Sequence, residues 1–210
     1  MDYIKMHIPV LKGKRPGIKA KMTSITIHNT GNPTSTALSE RNWLTNPNNK
    51  ETASWHICVD SKQAIEAIPL DEVAYHSGNP EGNNTSIGIE ICESGNYRQN
   101  EQNAVELIAK MLMERGWGVD RVKRHKDWNG KNCPRLIIPY WYEFLDRIQK
   151  EIDKAKGWKD IIREVAADPE NWITDIETMV KAAEAEGNIG PFEKVKFFPL
   201  LIEKVYNNRR

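Results

Sequence analysis

Residues 86–92, Ser-Ile-Gly-Ile-Glu-Ile-Cys, set a constraint that few folds can meet. In an extended chain Ile87, Ile89 and Ile91 point to one side, and Gly88, Glu90 and Cys92 point to the other. That is the period-two pattern of a strand with one face on a core. Its second face then carries a carboxylate near its centre. Burying a carboxylate in so apolar a strand is costly unless something pairs with it. Glu90 is therefore solvated on an open face, bonded to a nearby lysine, or part of a polar site. Gly88 beside it leaves room where a ligand or another backbone could approach.

Two further stretches alternate in the same way. Residues 23–30 set Ile25 and Ile27 against Thr26 and His28, which predicts a half-buried strand. Residues 54–60 set Trp55, Ile57 and Val59 against His56 and Cys58, and residues 62–68 predict a partner strand across the Asp60-Ser61 turn. Helical spacing predicts a short helix over 37–45, an amphipathic helix over 101–115 capped by Asn100 and ended by Gly116, and another over 139–152 with Pro139 in its first turn. The last of these aligns Trp141, Phe144, Leu145, Ile148 and Ile152. Residues 121–125 predict a short edge strand that delivers His125. Residues 11–21 and 69–85 read as loops, and the second, holding His76 and Asn84, is long enough to suggest a functional role.

Beyond about residue 157 the strand patterns stop. Residues 157–210 show only helical periodicity and carry 8 Lys/Arg against 10 Asp/Glu. They predict a separate small bundle of two or three helices, near the lower size limit for a domain. The expected organisation is a domain over 1–153 and a small all-α domain over 157–210. A net charge of +1 in 210 residues argues against a general nucleic-acid binder. No apolar run approaches a membrane span. Three cysteines without framework spacing argue against a disulfide scaffold and fit a reducing place of synthesis. The first ten residues lack the pattern of a secretory signal.

His125 and Cys133 flank a turn at Gly130, with Lys131 two residues before the thiol. A neutral imidazole and a thiolate are both good zinc ligands, and a lysine nearby favours the thiolate. Together with His28, His56 and Glu90 they make a set that hydrolytic zinc chemistry could use. Three protein ligands leave one tetrahedral position open, a carboxylate can move protons, and a cation can face a developing oxyanion. Spacing alone does not bring His28 to His125.

Residues of about 22–150 resemble the zinc-dependent N-acetylmuramoyl-L-alanine amidases of the amidase-2 type, which share a fold with peptidoglycan recognition proteins and many phage endolysins. The matching stretches are Ile25-Thr-Ile-His-Asn-Thr30, Ala53-Ser-Trp-His-Ile-Cys-Val-Asp60, Asn84-Thr-Ser-Ile-Gly-Ile-Glu90, and Arg124-His-Lys-Asp-Trp128 with Gly130-Lys-Asn-Cys-Pro134. The resemblance implies an α/β fold with a central mixed β-sheet flanked by helices and a shallow groove over a metal.

It also implies Zn2+ held by His28, His125 and Cys133, Glu90 as acid and base, and Lys131 facing the substrate carbonyl or water. Some relatives place a Tyr where this chain has Trp55, so Glu90 is expected to carry the proton transfers alone. His56 is either a core histidine, one that supports a metal ligand from behind, or a catalytic one. Asn29, His56, His76 and Asn84 are candidate substrate contacts, the last two with a loop-building role as the alternative. Cys58 and Cys92 are expected to be packing residues. The implied reaction is cleavage of the amide between N-acetylmuramic acid and L-alanine of peptidoglycan. Retention of Cys133 favours an enzyme over a binding-only relative. The expected setting is a phage or prophage endolysin made in the bacterial cytoplasm and released through a separate pore-forming protein, its helical tail either binding the wall or serving as a packing extension or dimerisation element. The alternatives are a non-catalytic peptidoglycan-binding protein and an intracellular muropeptide-recycling amidase.

Overall fold

The computed structural model describes residues 1–155; the helical bundle expected over 157–210 lies outside the described residues. Six strands form one mixed sheet: β1 (Asp2–Lys5), β2 (Ser24–Asn29), β3 (Ile57–Val59), β4 (Gln63–Glu66), β5 (Ser86–Ile91) and β6 (Val122–Arg124). Their spatial order is β1-β4-β3-β5-β2-β6. Only β3 and β4 pair antiparallel, across the turn at Asp60; the other four pairings are parallel. Asp60 builds that turn, since its side chain accepts from the backbone N–H of Lys62 and Gln63.

Five α-helices flank the sheet among the described residues. They are α1 (Ala37–Trp43), α2 (Pro80–Thr85), α3 (Tyr97–Arg115), α4 (His125–Asn129) and α5 (Trp141–Ala155). The isoleucines of β2 and β5 meet α3 and α5 in the larger core, where Ile25, Ile27, Ile87, Ile89 and Ile91 pack with Leu107, Ile108, Leu112, Phe144 and Ile148. A second cluster around Leu44, Trp55, Cys58, Ile65 and Cys92 packs under α1. The opposite face of β2 and β5 is polar, and it carries the candidate site.

Several elements differ from the sequence expectation. Strand β2 is buried on both faces, not one, because residues 69–85 and α4 cover its polar side. The strand expected over 54–60 narrows to Ile57–Val59. The expected loop over 69–85 ends in α2, capped by the Asn79 side chain on the N–H groups of Glu81 and Gly82. Helix α3 starts four residues early, with Asn96 as its cap. Asn100 instead points inward and donates to the carbonyls of Cys92 and Ser94. The predicted start at Pro139 is a single 3-10 turn, Ile138–Tyr140, which leads into α5 at Trp141. Strand β1 was not foreseen, since its four residues are largely exposed and show no apolar alternation.

Candidate metal centre and active site

Parallel pairing places the key side chains. In the β2–β5 register His28 lies opposite Glu90. In the β2–β6 register Ile27 lies opposite Arg124, so His125 leaves the sheet edge beside His28. Gly130, at φ +81°, ends α4 in the left-handed region and turns the chain back. Lys126 N–H then donates to the Cys133 carbonyl at 3.0 Å, closing the loop that carries the thiol.

Three donor atoms converge as a result. Nδ1 of His28 lies 3.0 Å from Nδ1 of His125 and 3.7 Å from Sγ of Cys133. All three ligand atoms fall within 4.8 Å of one another, and all three residues are buried. A tetrahedral zinc, with bonds of about 2.0–2.1 Å to nitrogen and about 2.3 Å to sulfur, needs donors roughly 3.3–3.6 Å apart. The cluster fits such an ion. Burial lowers the pKa of His28 well below its usual value and that of His125 to about 4, so both imidazoles are neutral and free to ligate at pH 7. Burial, reinforced by Glu90, raises the Cys133 thiol to about 11, opposed by the Asn29 backbone and Lys131. A thiol this weakly acidic becomes a thiolate only with a cation beside it.

Glu90 reaches within 4.0 Å of His28 Nδ1 through Oε1. Its other oxygen is buried without a hydrogen-bond partner. Desolvation raises this carboxyl to about 8, with Glu40 adding to the shift and Lys131 opposing it. Lys131 itself is exposed at the rim. These residues line a cavity of about 340 Å³ whose walls include Thr30, Trp55, Tyr75 and Asn129. Trp55, Thr30 and Ala53 also border a neighbouring depression, so the groove continues past the three donor atoms.

The candidate substrate contacts fare differently. His56 is fully buried; its Nδ1 accepts from Gly88 N–H at 2.9 Å and its Nε2 donates to the Glu72 carbonyl at 2.8 Å. It is a satisfied core histidine away from the groove. Asn84 is exposed on α2 and spends its amide on the Pro80 carbonyl, outside the cavity lining. The Asn29 side chain lies beside the groove but is used within the protein: it donates to Tyr97 and accepts from Leu136 N–H. It braces the Cys133 loop. His76 borders the cavity, yet its Nδ1 faces His28 at 3.1 Å. Trp128 was missed by the sequence reading; its Nε1–H donates to Thr26 Oγ1 at 2.8 Å, tying α4 to β2. The packing roles expected for Cys58 and Cys92 match their full burial, with sulfurs 3.5 Å apart.

The family model described as N-acetylmuramoyl-L-alanine amidase, Amidase_2, matches residues 19–136, over half the chain. The chain belongs to this family. The amidase CwlA of Bacillus subtilis (strain 168) is 42% identical over 146 residues, covering 65% of this chain and 53% of CwlA. XlyA of the same organism is 37% identical over 150 residues, covering 69% of this chain and 50% of XlyA. The chain thus spans about half the length of these curated relatives. Among solved structures, the catalytic domain of XlyA matches with a TM-score of 0.67 at 37% identity, covering 70% of this chain and 99% of that domain. The structure of PlyL matches with a TM-score of 0.64 at 32% identity, covering 70% of this chain and 97% of PlyL. The mixed sheet and flanking helices are those of this family.

Proposed function

We propose that this chain is a zinc-dependent hydrolase of peptidoglycan that cleaves the amide joining the lactyl group of N-acetylmuramic acid to L-alanine of the stem peptide. One observation carries the reading: two neutral imidazole nitrogens and a thiol converge in the floor of a groove, with an elevated carboxyl beside them. Family membership and the named amidase relatives supply the substrate class.

His28, His125 and Cys133 would hold the metal. Zinc bound there supplies Lewis-acid polarisation of the scissile carbonyl and lowers the pKa of attacking water. The chain's own residues account for the remaining chemistry. Glu90 takes the proton from the attacking water and passes it to the departing amine nitrogen. A carboxyl with a pKa brought toward neutral can do both. Lys131, at the groove rim, offers its ammonium to the oxygen on which negative charge develops. Trp55 and Tyr75 wall the groove and exclude water from one side of the substrate.

We assign residues 157–210 to a separate module that holds the enzyme to the wall, and an endolysin role that follows release from the producing cell through a separate pore-forming protein. The likeness to an endolysin structure from Bacillus subtilis, at 37% identity and a TM-score of 0.67, supports the endolysin part. Among the described residues no helix is long and apolar enough to cross a membrane.

Mass spectrometry of products from purified bacterial cell wall tests the proposal. It predicts stem peptides with a free amino-terminal alanine and glycan strands whose lactyl carboxyls are free. New amino termini inside the stem would make the protein a peptidase. No release at all with zinc supplied would make it a binder. Exclusive cleavage of small soluble muropeptides would point to recycling. Removal of residues 157–210 should weaken retention on intact walls more than turnover of soluble fragments; equal loss of both would remove the targeting role.

A further inference from the structure

His76 comes from the stretch between β4 and α2 and is held from three sides. Its backbone N–H, together with that of Ser77, donates to Asn83 Oδ1 at 3.0 and 2.9 Å. Its ring lies flat over Gly88 of β5, where a Cβ would come within 2.6 Å of the ring's Cγ. The hole left by glycine in that isoleucine-rich strand is thus filled by an imidazole and not by a ligand. Only 7% of His76 is exposed.

Its two nitrogens have fixed roles. Nε2 lies 2.9 Å from the Ser86 carbonyl, which can only accept, so Nε2 carries the proton. With its one proton spent on the Ser86 carbonyl, the imidazole of His76 offers Nδ1 as a bare acceptor. That acceptor faces Nε2 of His28 at 3.1 Å. His28 must therefore carry its own proton on Nε2, which leaves the Nδ1 lone pair pointing toward His125 and Cys133. The chain of bonds runs from a backbone carbonyl through two imidazoles to the donor cluster.

We propose that His76 is a positioning residue that fixes the proton and ring orientation of His28, so that Nδ1 is presented to the metal centre. The inference rests on the zinc reading given above. It places His76 behind the metal and not against substrate. A carbonyl–histidine–histidine support of this kind fixes the tautomer of a ligand and raises its basicity.

Two variants test it. His76→Phe keeps a ring of similar shape but loses the acceptor; His76→Asn retains an acceptor near the Nδ1 position. Zinc affinity of the full chain is measured by competition with a chelating dye, using Zn2+ alone. In parallel the imidazole N–H signal of His28 is followed by 15N-correlated NMR in the presence of chelator, which needs no metal. The Phe variant should bind zinc about 10–100-fold more weakly and lose the hydrogen-bonded, low-field His28 Nε2–H signal. The Asn variant should recover both within a few-fold. Wild-type zinc affinity and an unchanged His28 signal in the Phe variant would overturn the role of His76 alone. If the wild-type chain takes up no zinc while the His28 signal still depends on residue 76, the metal reading fails and the positioning stands. A Phe variant without dispersed NMR signals defers the decision to the Asn variant, whose loss of the His28 signal would overturn the proposal.

Discussion

Glu90→Gln should stabilise the fold while removing turnover. The carboxyl moves from the usual value of 4.5 to about 8 chiefly because β5 buries it, and Oε2 finds no donor. A folded-state pKa above the unfolded one means that the folded protein retains a proton that the unfolded chain has released. Stability from this group is therefore fully present below pH 4.5 and is lost as pH rises toward about 8. At pH 7 the unfolded chain is about 2.5 units past its midpoint, and at about 1.4 kcal/mol per unit the cost comes to roughly 3–4 kcal/mol. That is an upper figure, since the carboxyl is 14% exposed toward the groove. Gln has the same shape and never ionises, so it escapes this cost. Urea denaturation of both proteins at pH 5, 7 and 8, with chelator present, should show the Gln variant gaining stability with rising pH by up to about this amount. Zinc should shrink the gain, because a cation beside the carboxylate favours its charged form. Parallel stability curves across that pH range would refute the burial argument. Full activity in the variant would remove Glu90 from the mechanism.

Cys133→Ala should lose zinc and, with it, the part of the stability that metal binding contributes; unchanged metal stoichiometry by elemental analysis would contradict the ligand assignment. Gly88→Ala should displace the His76 ring, since the new methyl would lie 2.6 Å from its Cγ. A loss of about 1–3 kcal/mol in denaturant titration is expected, and a neutral outcome would mean that β5 can shift to accept it. Thr26→Val strips the acceptor from Trp128 Nε1 and leaves Ser86 Oγ, 2.5 Å from Thr26 Oγ1, without that partner. Its cost should be about 1–3 kcal/mol, read by thermal unfolding, with no change in zinc stoichiometry.

The isoleucine alternation of β5 and β2 was plain in the sequence because side chains on a strand face take turns, and the His28–Glu90 juxtaposition follows once those strands lie side by side. Helix α5 was equally plain from its apolar stripe. The start of α3 was not, because Asn96 and Asn100 are four residues apart and equally good caps; the choice turns on Asn100 being needed to satisfy two carbonyls after β5. Helix α2 was hidden by poor helix formers such as Gly82, Asn83 and Asn84 and forms around an Asn79 cap. The roles of His56 and His76 were illegible individually, since both depend on residues far along the chain. Gly88 was the one available signal: a gap on the polar face of a strand otherwise built of isoleucines, wide enough for a ring. His28, His125 and Cys133 are marked in the sequence only by the family motifs that hold them, because no local spacing links a strand residue to a loop about a hundred positions later.

X-ray absorption at the zinc edge of the zinc-loaded full chain tests the central claim most directly. The account predicts one zinc with two nitrogen ligands, one sulfur ligand and one further light atom. A spectrum without sulfur scattering, or one that is the same in Cys133→Ala as in the wild type, would contradict it.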